Sequence, residues 1–450
     1  METFNEECSY QCPLAYPQIG RLSQELFRWL NRNHLCHPTT FRVLASCKRR
    51  FLRSTFKFNS VKMECVRAPY VQENFNLQMV NMATLALWLP PTPQKMGSFS
   101  SAPKILNEDT QDNDVDLPEK MSREELIDHC EQKLEGSPRL VRRKFTPVNN
   151  MNGNLEDKDK NSDDERIRIL QWNVLSQALG QNNDSFVCCP DEALEWKRRR
   201  YHMVQEIVSY NPDVVCLQEV DHFEFLKKAL KTQGYQGTFF PKPDSPCVYI
   251  KDNNGPDGCA IFFREDKFKL IDTQTRILEV WRVQSNQVAI LVTLEDRRSG
   301  KRVCIATTHL KARNGALLST LRNEQGKDLL EFVDANARGA PVILCGDFNA
   351  EPSEPIYSTV MNHESLALGS AYSAKHNQEP SYTTWKIREE GEVCHTIDYV
   401  FYSKDRLNVE AVLKFPTGEE IGQDRVPSLK YPSDHFSLVC DFSYKDPKSE

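Results

Sequence analysis

No apolar run in the sequence is long enough to cross a bilayer. The candidate at 79–89 falls short of the roughly 20 residues a membrane helix needs. No two cysteines stand at Cys-x-x-Cys spacing, and no Cys/His cluster has zinc-site spacing. The 15 cysteines are odd in number and scattered, which reads as reduced, mostly buried thiols in an intracellular chain. Positive charge is in deficit: 57 Lys and Arg against 63 Asp and Glu give a net charge of -6. That excludes coating of nucleic acid by bulk charge and leaves room for a local basic pocket. No internal repeat is present, and no leucine-rich array precedes the main domain. Apolar content of 39% and a mean hydropathy of -0.57 are low for a fully packed chain. Part of its 450 residues is expected to lie outside any core.

That part is the N-terminal arm, 1–120, expected to be mostly disordered. From 26 to 63 it has nine Lys or Arg and no acid. The basic stretch 41–58 interleaves Arg42, Lys48, Arg49, Arg50, Arg53 and Lys57 with Phe, Leu, Val, Ser and Thr. Such composition marks mitochondrial presequences, but this one stands late, behind Glu6 and Glu7. A plain basic arm is the favoured reading. A cytoplasmic location therefore stands beside a mitochondrial one, and the arm names no protein partner. Residues 107–119 are acidic and read as a solvated linker. The segment 121–145 regains order. Ser122 and Glu125 form a capping box, Leu126, Ile127, Cys130 and Leu134 recur at helical spacing, and Gly136 and Pro138 end the helix. A second charged linker, 146–166, leads to the domain 167–445.

There, apolar runs suited to strands lie at 167–171, 214–218, 259–263, 288–294, 303–308, 342–345, 397–402 and 436–442. Helical patterns cover 191–209, 223–232 and 317–337. Strand follows strand between 259 and 308, which points to antiparallel pairing rather than a doubly wound sheet. The predicted fold is α/β: two mixed sheets packed face to face and flanked by helices, a four-layer αββα sandwich.

Val342, Ile343, Leu344 and Cys345 run into Gly346 and deliver Asp347 and Asn349. The run reads as a strand buried on both faces. Side chains two apart share a side, so Asp347 and Asn349 are expected to project together. Gly, Asp and Asn also form turns, and this stretch alone is equally a turn. Its counterparts tip the balance. Asn173 follows 169–172, Glu219 follows 214–218, and His309 follows 305–308. Asp398 sits just inside 397–402, and Asp434 and His435 precede 436–442. Singly, each is a cap, a turn residue or a satisfied core histidine. Together they line the ends of buried strands, where open α/β sheets place their sites. No serine nucleophile stands beside a histidine. Carboxylates, amides and imidazoles suit Mg²⁺, with Mn²⁺ as a substitute.

Gln171-Trp172-Asn173, Leu217-Gln218-Glu219-Val220, Thr308-His309-Leu310, Gly346-Asp347-Phe348-Asn349, Ile397-Asp398-Tyr399 and Ser433-Asp434-His435 resemble, in order, the motifs of the endonuclease/exonuclease/phosphatase superfamily. Segments 239–242, 253–258, 309–313 and 383–388 are similar to its deadenylase-like branch. The resemblance does not reach the first 120 residues. It implies that Glu219 is the central Mg²⁺ ligand, helped by Asn173 and, through water, by Asp434. It implies that Asp347 deprotonates the attacking water, fixed by Asn349, and that His309 donates to the phosphoryl oxygens. Asp398 would hold His435 toward the phosphate.

The substrate is a separate matter, since one fold serves many phosphates. Lys311 and Arg313 share a face if the strand of His309 continues that far. Arg388 lies within 383–388, and Lys242 ends an aromatic run. Picked singly, each reads as a solvated surface charge. Beside the motifs, the four can clamp several phosphates of one compact ligand. Matching residues in the branch hold NADPH, so the resemblance implies removal of the 2′-phosphate of NADP(H) to give NAD(H). The same branch includes 3′–5′ poly(A) exoribonucleases, which makes RNA the alternative substrate. An RNA groove calls for further basic and aromatic residues, and the acidic balance counts against it. A catalytically silent interaction module would have lost a motif residue, and none is lost.

Overall fold

The computed structural model describes residues 117–148, 166–182, 185–251, 253–375 and 377–445, all within one compact unit. The arm up to 116, with its basic stretch 41–58, and residues 149–165 of the second linker lie outside the described residues. Among the described residues no helix is long and apolar enough to cross a membrane.

Among the described residues fifteen strands follow one another. They are β1 (Phe145–Pro147), β2 (Ile167–Asn173), β3 (Val214–Val220), β4 (Tyr235–Pro241), β5 (Gly258–Arg264), β6 (Phe268–Val280), β7 (Val283–Asp296) and β8 (Arg302–His309). After these come β9 (Val342–Asp347), β10 (Leu368–Ser370), β11 (Thr384–Arg388), β12 (Gly391–His395), β13 (Asp398–Ser403), β14 (Leu407–Leu413) and β15 (Leu438–Tyr444). One sheet has the order β1-β14-β15-β2-β3-β5-β4, a second β10-β13-β9-β8-β7-β6, and β11-β12 form a separate hairpin. Among the described strands only the pairs β2–β3 and β8–β9 are parallel.

Strand alternation explains the layers. Ile167, Ile169, Val214 and Cys216 meet Val303, Ile305, Ile343 and Cys345 in one core between the sheets. Leu170, Trp172, Val215 and Leu217 face outward under the helices Arg123–Lys133, Trp196–Ser209 and Phe223–Lys231. Cys304, Ala306, Val342 and Leu344 face the other way, under Ala316–Ala337 and Pro355–Met361. Strands apolar on both faces must be covered on both. The result is the expected four-layer αββα sandwich.

The capping box at Ser122 and Glu125 is present, and its helix occupies Arg123–Lys133. After it, 134–137 turn and 138–144 run without regular structure into β1. The expected linker 146–166 begins inside a strand: Thr146 and Pro147 pair with Val412 and Ala411. Three residues are too few to show a period. The helix expected over 191–209 is two, Asp191–Leu194 and Trp196–Ser209, because Glu195 is extended at φ -62 and ψ 125.

The segment before β1 is bound in tightly. Arg143 Nη2 lies 2.5 Å from Glu206 Oε1, both side chains buried. Glu206 Oε1 also accepts from Tyr431 Oη and Ser437 Oγ, each at 2.9 Å. Removing one partner of a buried pair strands the other charge. Glu206→Ala is therefore expected to lower unfolding stability by about 3–5 kcal/mol. Urea denaturation measures this, and an unchanged midpoint would contradict it.

Candidate active site

The side-chain period of two carries the inner core up into a polar end. Gln171 and Asn173 continue the face of Ile169, Gln218 that of Cys216, Thr307 and His309 that of Ile305, and Asp347 that of Cys345. Both parallel pairs finish at the same edge, so these residues collect between the sheets. His309 and Asp347 are register partners across β8–β9, and Asp398 is the partner of Asp347 across β13–β9. Gly346 permits this closeness. A Cβ there would stand 2.5 Å from the Thr308 carbonyl oxygen.

A buried polar layer separates the core from the site. Gln218 Nε2 donates to Gln171 Oε1 at 2.7 Å and to Thr307 Oγ1 at 2.8 Å. Gln171 Nε2 donates to Asp398 Oδ1 at 3.3 Å, and Thr383 Oγ1 to Asp398 Oδ2 at 2.7 Å. The glutamines stand inside the quoted motifs, but sequence reasoning gave them no part. Their signal was a polar residue on the inner face of an otherwise apolar strand.

Asp347 is the centre. Its Oδ1 accepts from the Asn349 backbone N–H at 2.9 Å, and its Oδ2 from Asn173 Nδ2 at 2.9 Å. His309 Nε2 and His435 Nε2 stand 3.6 and 3.8 Å from Oδ2, too far to be committed to it. Burial, and then the neighbouring Asp398 carboxylate, push the Asp347 pKa up to about 7, against the pull of His435 and Asn173. Burial works against charge on His435. The carboxylates of Asp398, Asp434 and Asp347 outweigh it and raise its pKa to about 9. Asp398 Oδ2 holds the His435 ring through Nδ1 at 2.8 Å, as expected. His309 goes the other way. Burial, Lys242 and His435 push it well below the ordinary value, so it stays neutral.

Cations stand beside each histidine. Lys242 Nζ is 3.4 Å from His309 Nδ1. Burial, and then the charges of Arg313 and Lys242, lower the pKa of Lys311. On the other side Lys386 Nζ donates to Asp434 Oδ2, and Arg388 Nη2 lies 3.9 Å from the same oxygen. Burial alone would raise the Asp434 pKa, but Lys386, His435 and Arg388 hold it far below the usual carboxylate range. Lys386 escaped sequence reasoning although it stands two residues before Arg388.

The sequence model of the endonuclease/exonuclease/phosphatase family matches residues 170–435. The chain is 54% identical to fly (Drosophila melanogaster) nocturnin over 390 residues, covering 78% of this chain and 61% of that protein. It is 44% identical to Xenopus laevis nocturnin over 355 residues, covering 78% and 89%. The human nocturnin catalytic domain with bound sulfate superposes with a TM-score of 0.56 at 42% identity, over 69% of this chain and 99% of that one. The chain belongs to the nocturnin family. It is thus an enzyme of a hydrolase family that includes phosphatases and nucleases.

Enzymes of this larger family typically depend on a divalent metal, and the site fits one. Asn173 Nδ2 bridges two carboxylates, Glu219 Oε1 at 3.0 Å and Asp347 Oδ2 at 2.9 Å. Its Oδ1 accepts from the Leu175 N–H at 3.0 Å and keeps a second lone pair for an ion. Glu219 is half-buried, and its Oε2 accepts from the Ser176 N–H at 3.2 Å. Its backbone is left-handed at φ 55, where the β3–β5 register shifts between Leu217 and Val220. A non-glycine residue held there is strained, a mark of functional sites. Asp347, Asp398 and His435 also place donor atoms within 4.8 Å of one another. Asp398 and His435 are spent on each other, so this trio is a positioned acid–base group rather than a ligand set. Asp434, expected to reach the ion through water, is ion-paired with Lys386.

Two expectations drawn from strand periodicity fail on backbone geometry. β9 ends at Asp347, and Asn349 is left-handed at φ 50. The two side chains therefore do not project together. Asn349 Nδ2 donates to the Leu310 carbonyl at 3.1 Å, and it is the backbone N–H that fixes Asp347. Likewise β8 ends at His309, and Arg313 lies in a loop at φ 78. Lys311 and Arg313 share no strand face. Arg322 anchors their loop instead, donating to the carbonyls of Lys311 and Arg313 at 3.0 and 2.7 Å.

Proposed function

We propose that this chain is a Mg²⁺-dependent phosphatase that removes the 2′-phosphate of NADP(H), giving NAD(H) and inorganic phosphate. The observation that carries this reading is that cations stand near both histidines, Lys242 and Lys311 by His309, and Lys386 and Arg388 on Asp434 next to His435. Such an arrangement suits a compact ligand with more than one phosphate. The sulfate bound by the human relative, a tetrahedral dianion, is in keeping with it. Mn²⁺ would replace Mg²⁺ at the same oxygen donors.

Phosphoryl transfer needs position and charge more than covalent chemistry. A divalent ion held by Glu219 and Asn173 would neutralise the phosphate oxygens and acidify a water. Asp347 takes the proton of the attacking water, its carboxylate steadied by Asn173 and by the backbone of Asn349. His435, kept cationic by Asp398, donates to a phosphoryl oxygen as charge builds. Neutral His309 donates from Nε2.

The second reading is 3′–5′ exoribonuclease action on poly(A). Its one support is Tyr249, 76% exposed and suited to stacking on a base. Among the described residues it is the one aromatic among the large exposed apolar side chains, which is thin for a strand-tracking groove. The test offers NADPH and a 3′-poly(A) oligonucleotide in parallel, with Glu219→Ala as the blank. Phosphate from NADPH with intact RNA supports the phosphatase. Shortened RNA without phosphate release sinks it.

Lys311→Ala and Arg388→Ala are each expected to reduce kcat/KM for NADPH by roughly ten- to a hundredfold, mostly through KM, as lost charge-assisted bonds to ground and transition state alike. Steady-state kinetics check this. A loss confined to kcat would recast the pair as transition-state donors.

A further inference from the structure

We propose that Asp257 is a positioning residue for His309, acting through Lys242, and that it selects the tautomer with the proton on Nε2. Asp257 stands in the segment 253–258, just before β5. Asp257 is fully buried. Its Oδ1 accepts from Ser245 Oγ, and its Oδ2 accepts from Lys242 Nζ at 2.6 Å. The backbones are joined as well, with the Lys242 N–H donating to the Asp257 carbonyl at 2.9 Å. Gly258 permits that approach, since a Cβ there would meet the Phe240 carbonyl oxygen at 2.3 Å. A buried ion pair so thoroughly fixed is weak evidence for stability, and a positional role is the better account.

The position is behind His309. Lys242 Nζ stands 3.4 Å from Nδ1 of the ring, and all three side chains are buried. An ammonium has N–H donors and no lone pair. The ring nitrogen that faces it must accept, which leaves the ring proton on Nε2. Nε2 is the atom turned to the reaction centre, 3.6 Å from Asp347 Oδ2. The other tautomer would set an N–H against the ammonium and a lone pair against an anionic phosphate. Lys242 is thus more than one of four substrate cations. One N–H is spent on Asp257 and another on the ring.

The kinetic part of the test rests on the phosphatase reading, and the spectroscopic part does not. Long-range ¹H–¹⁵N spectra of the ¹⁵N-histidine-labelled full chain read the tautomer without substrate, His309 being assigned by its loss in His309→Asn. The expected result is a protonated Nε2 and bare Nδ1 in the parent, and a mixture of tautomers in Asp257→Asn and in Lys242→Met. In kinetics Asp257→Asn should lose about ten- to a hundredfold in kcat with little change in KM. The double variant should lose no more kcat than Lys242→Met alone, because the pair acts as a unit. A proton on Nδ1 in the parent, or an unshifted tautomer in both folded variants, would overturn the proposal. Additive kcat losses would overturn it too, by reducing Asp257 to a scaffold role. The expected tautomers without NADPH hydrolysis would uphold it while sinking the substrate assignment.

Discussion

Glu219→Ala is expected to leave no measurable hydrolysis at ordinary Mg²⁺ concentrations. Glu219 offers a carboxylate at the end of a strained, bulged strand, where its Oε1 shares the amide of Asn173 with Asp347. The neighbouring carboxylates are committed elsewhere, Asp347 as the base. Asp398 is spent on His435 and Thr383, and Asp434 on Lys386. A bound ion supplies several kcal/mol of charge stabilisation, so its loss costs at least about a thousandfold. Mg²⁺ titration by calorimetry and phosphate release measure the two halves of the claim. The parent stripped by chelator should be equally inactive and should recover on adding the ion. Activity retained by Glu219→Ala would refute the metal assignment.

Asp347→Asn is the second large effect. The amide keeps the shape and can still accept from the Asn349 N–H, but it cannot take a proton from water. A loss of about a hundred- to ten-thousandfold in kcat follows, with KM for NADPH nearly unchanged. In the parent the sign of the pH dependence follows from the same group. Its pKa is raised to about 7, so the fraction able to act as base falls as pH falls through that value. A bound cation lowers that midpoint. His435, raised to about 9, loses its donated proton as pH rises through that value. A rate profile with an acid and an alkaline limb is expected. Loss of the alkaline limb in His435→Gln, with the acid limb kept, would assign the two. A profile flat across both limbs would contradict the roles.

The sheets were legible where apolar runs are uninterrupted. Residues 342–345 and 214–217 are covered on both faces, so nothing polar breaks their pattern. β6 was missed because few of its residues are fully buried. β1 was missed because it is held by its partner β14 rather than by any signal of its own. In the site, strand-end position was enough to expect Asp347, His309, Asn173 and Glu219 at one edge, where they meet. It was not enough to orient what comes after a strand stops. Asn349 and Arg313 both turn left-handed, and periodicity has no meaning there. Lys386 and Asp257 were invisible for another reason. Each matters through a partner distant in sequence, Asp434 or Lys242, and only the folded chain brings them together.

The central claim is that the bond broken is the 2′-phosphomonoester. ³¹P spectra of NADPH incubated with the full chain and Mg²⁺ report on that bond and on the diphosphate separately. The expected result is loss of the monoester signal and growth of inorganic phosphate in equal amount, with the diphosphate signals intact and NADH as the product. Cleavage within the diphosphate, or an unchanged spectrum under conditions that shorten 3′-poly(A), would contradict it.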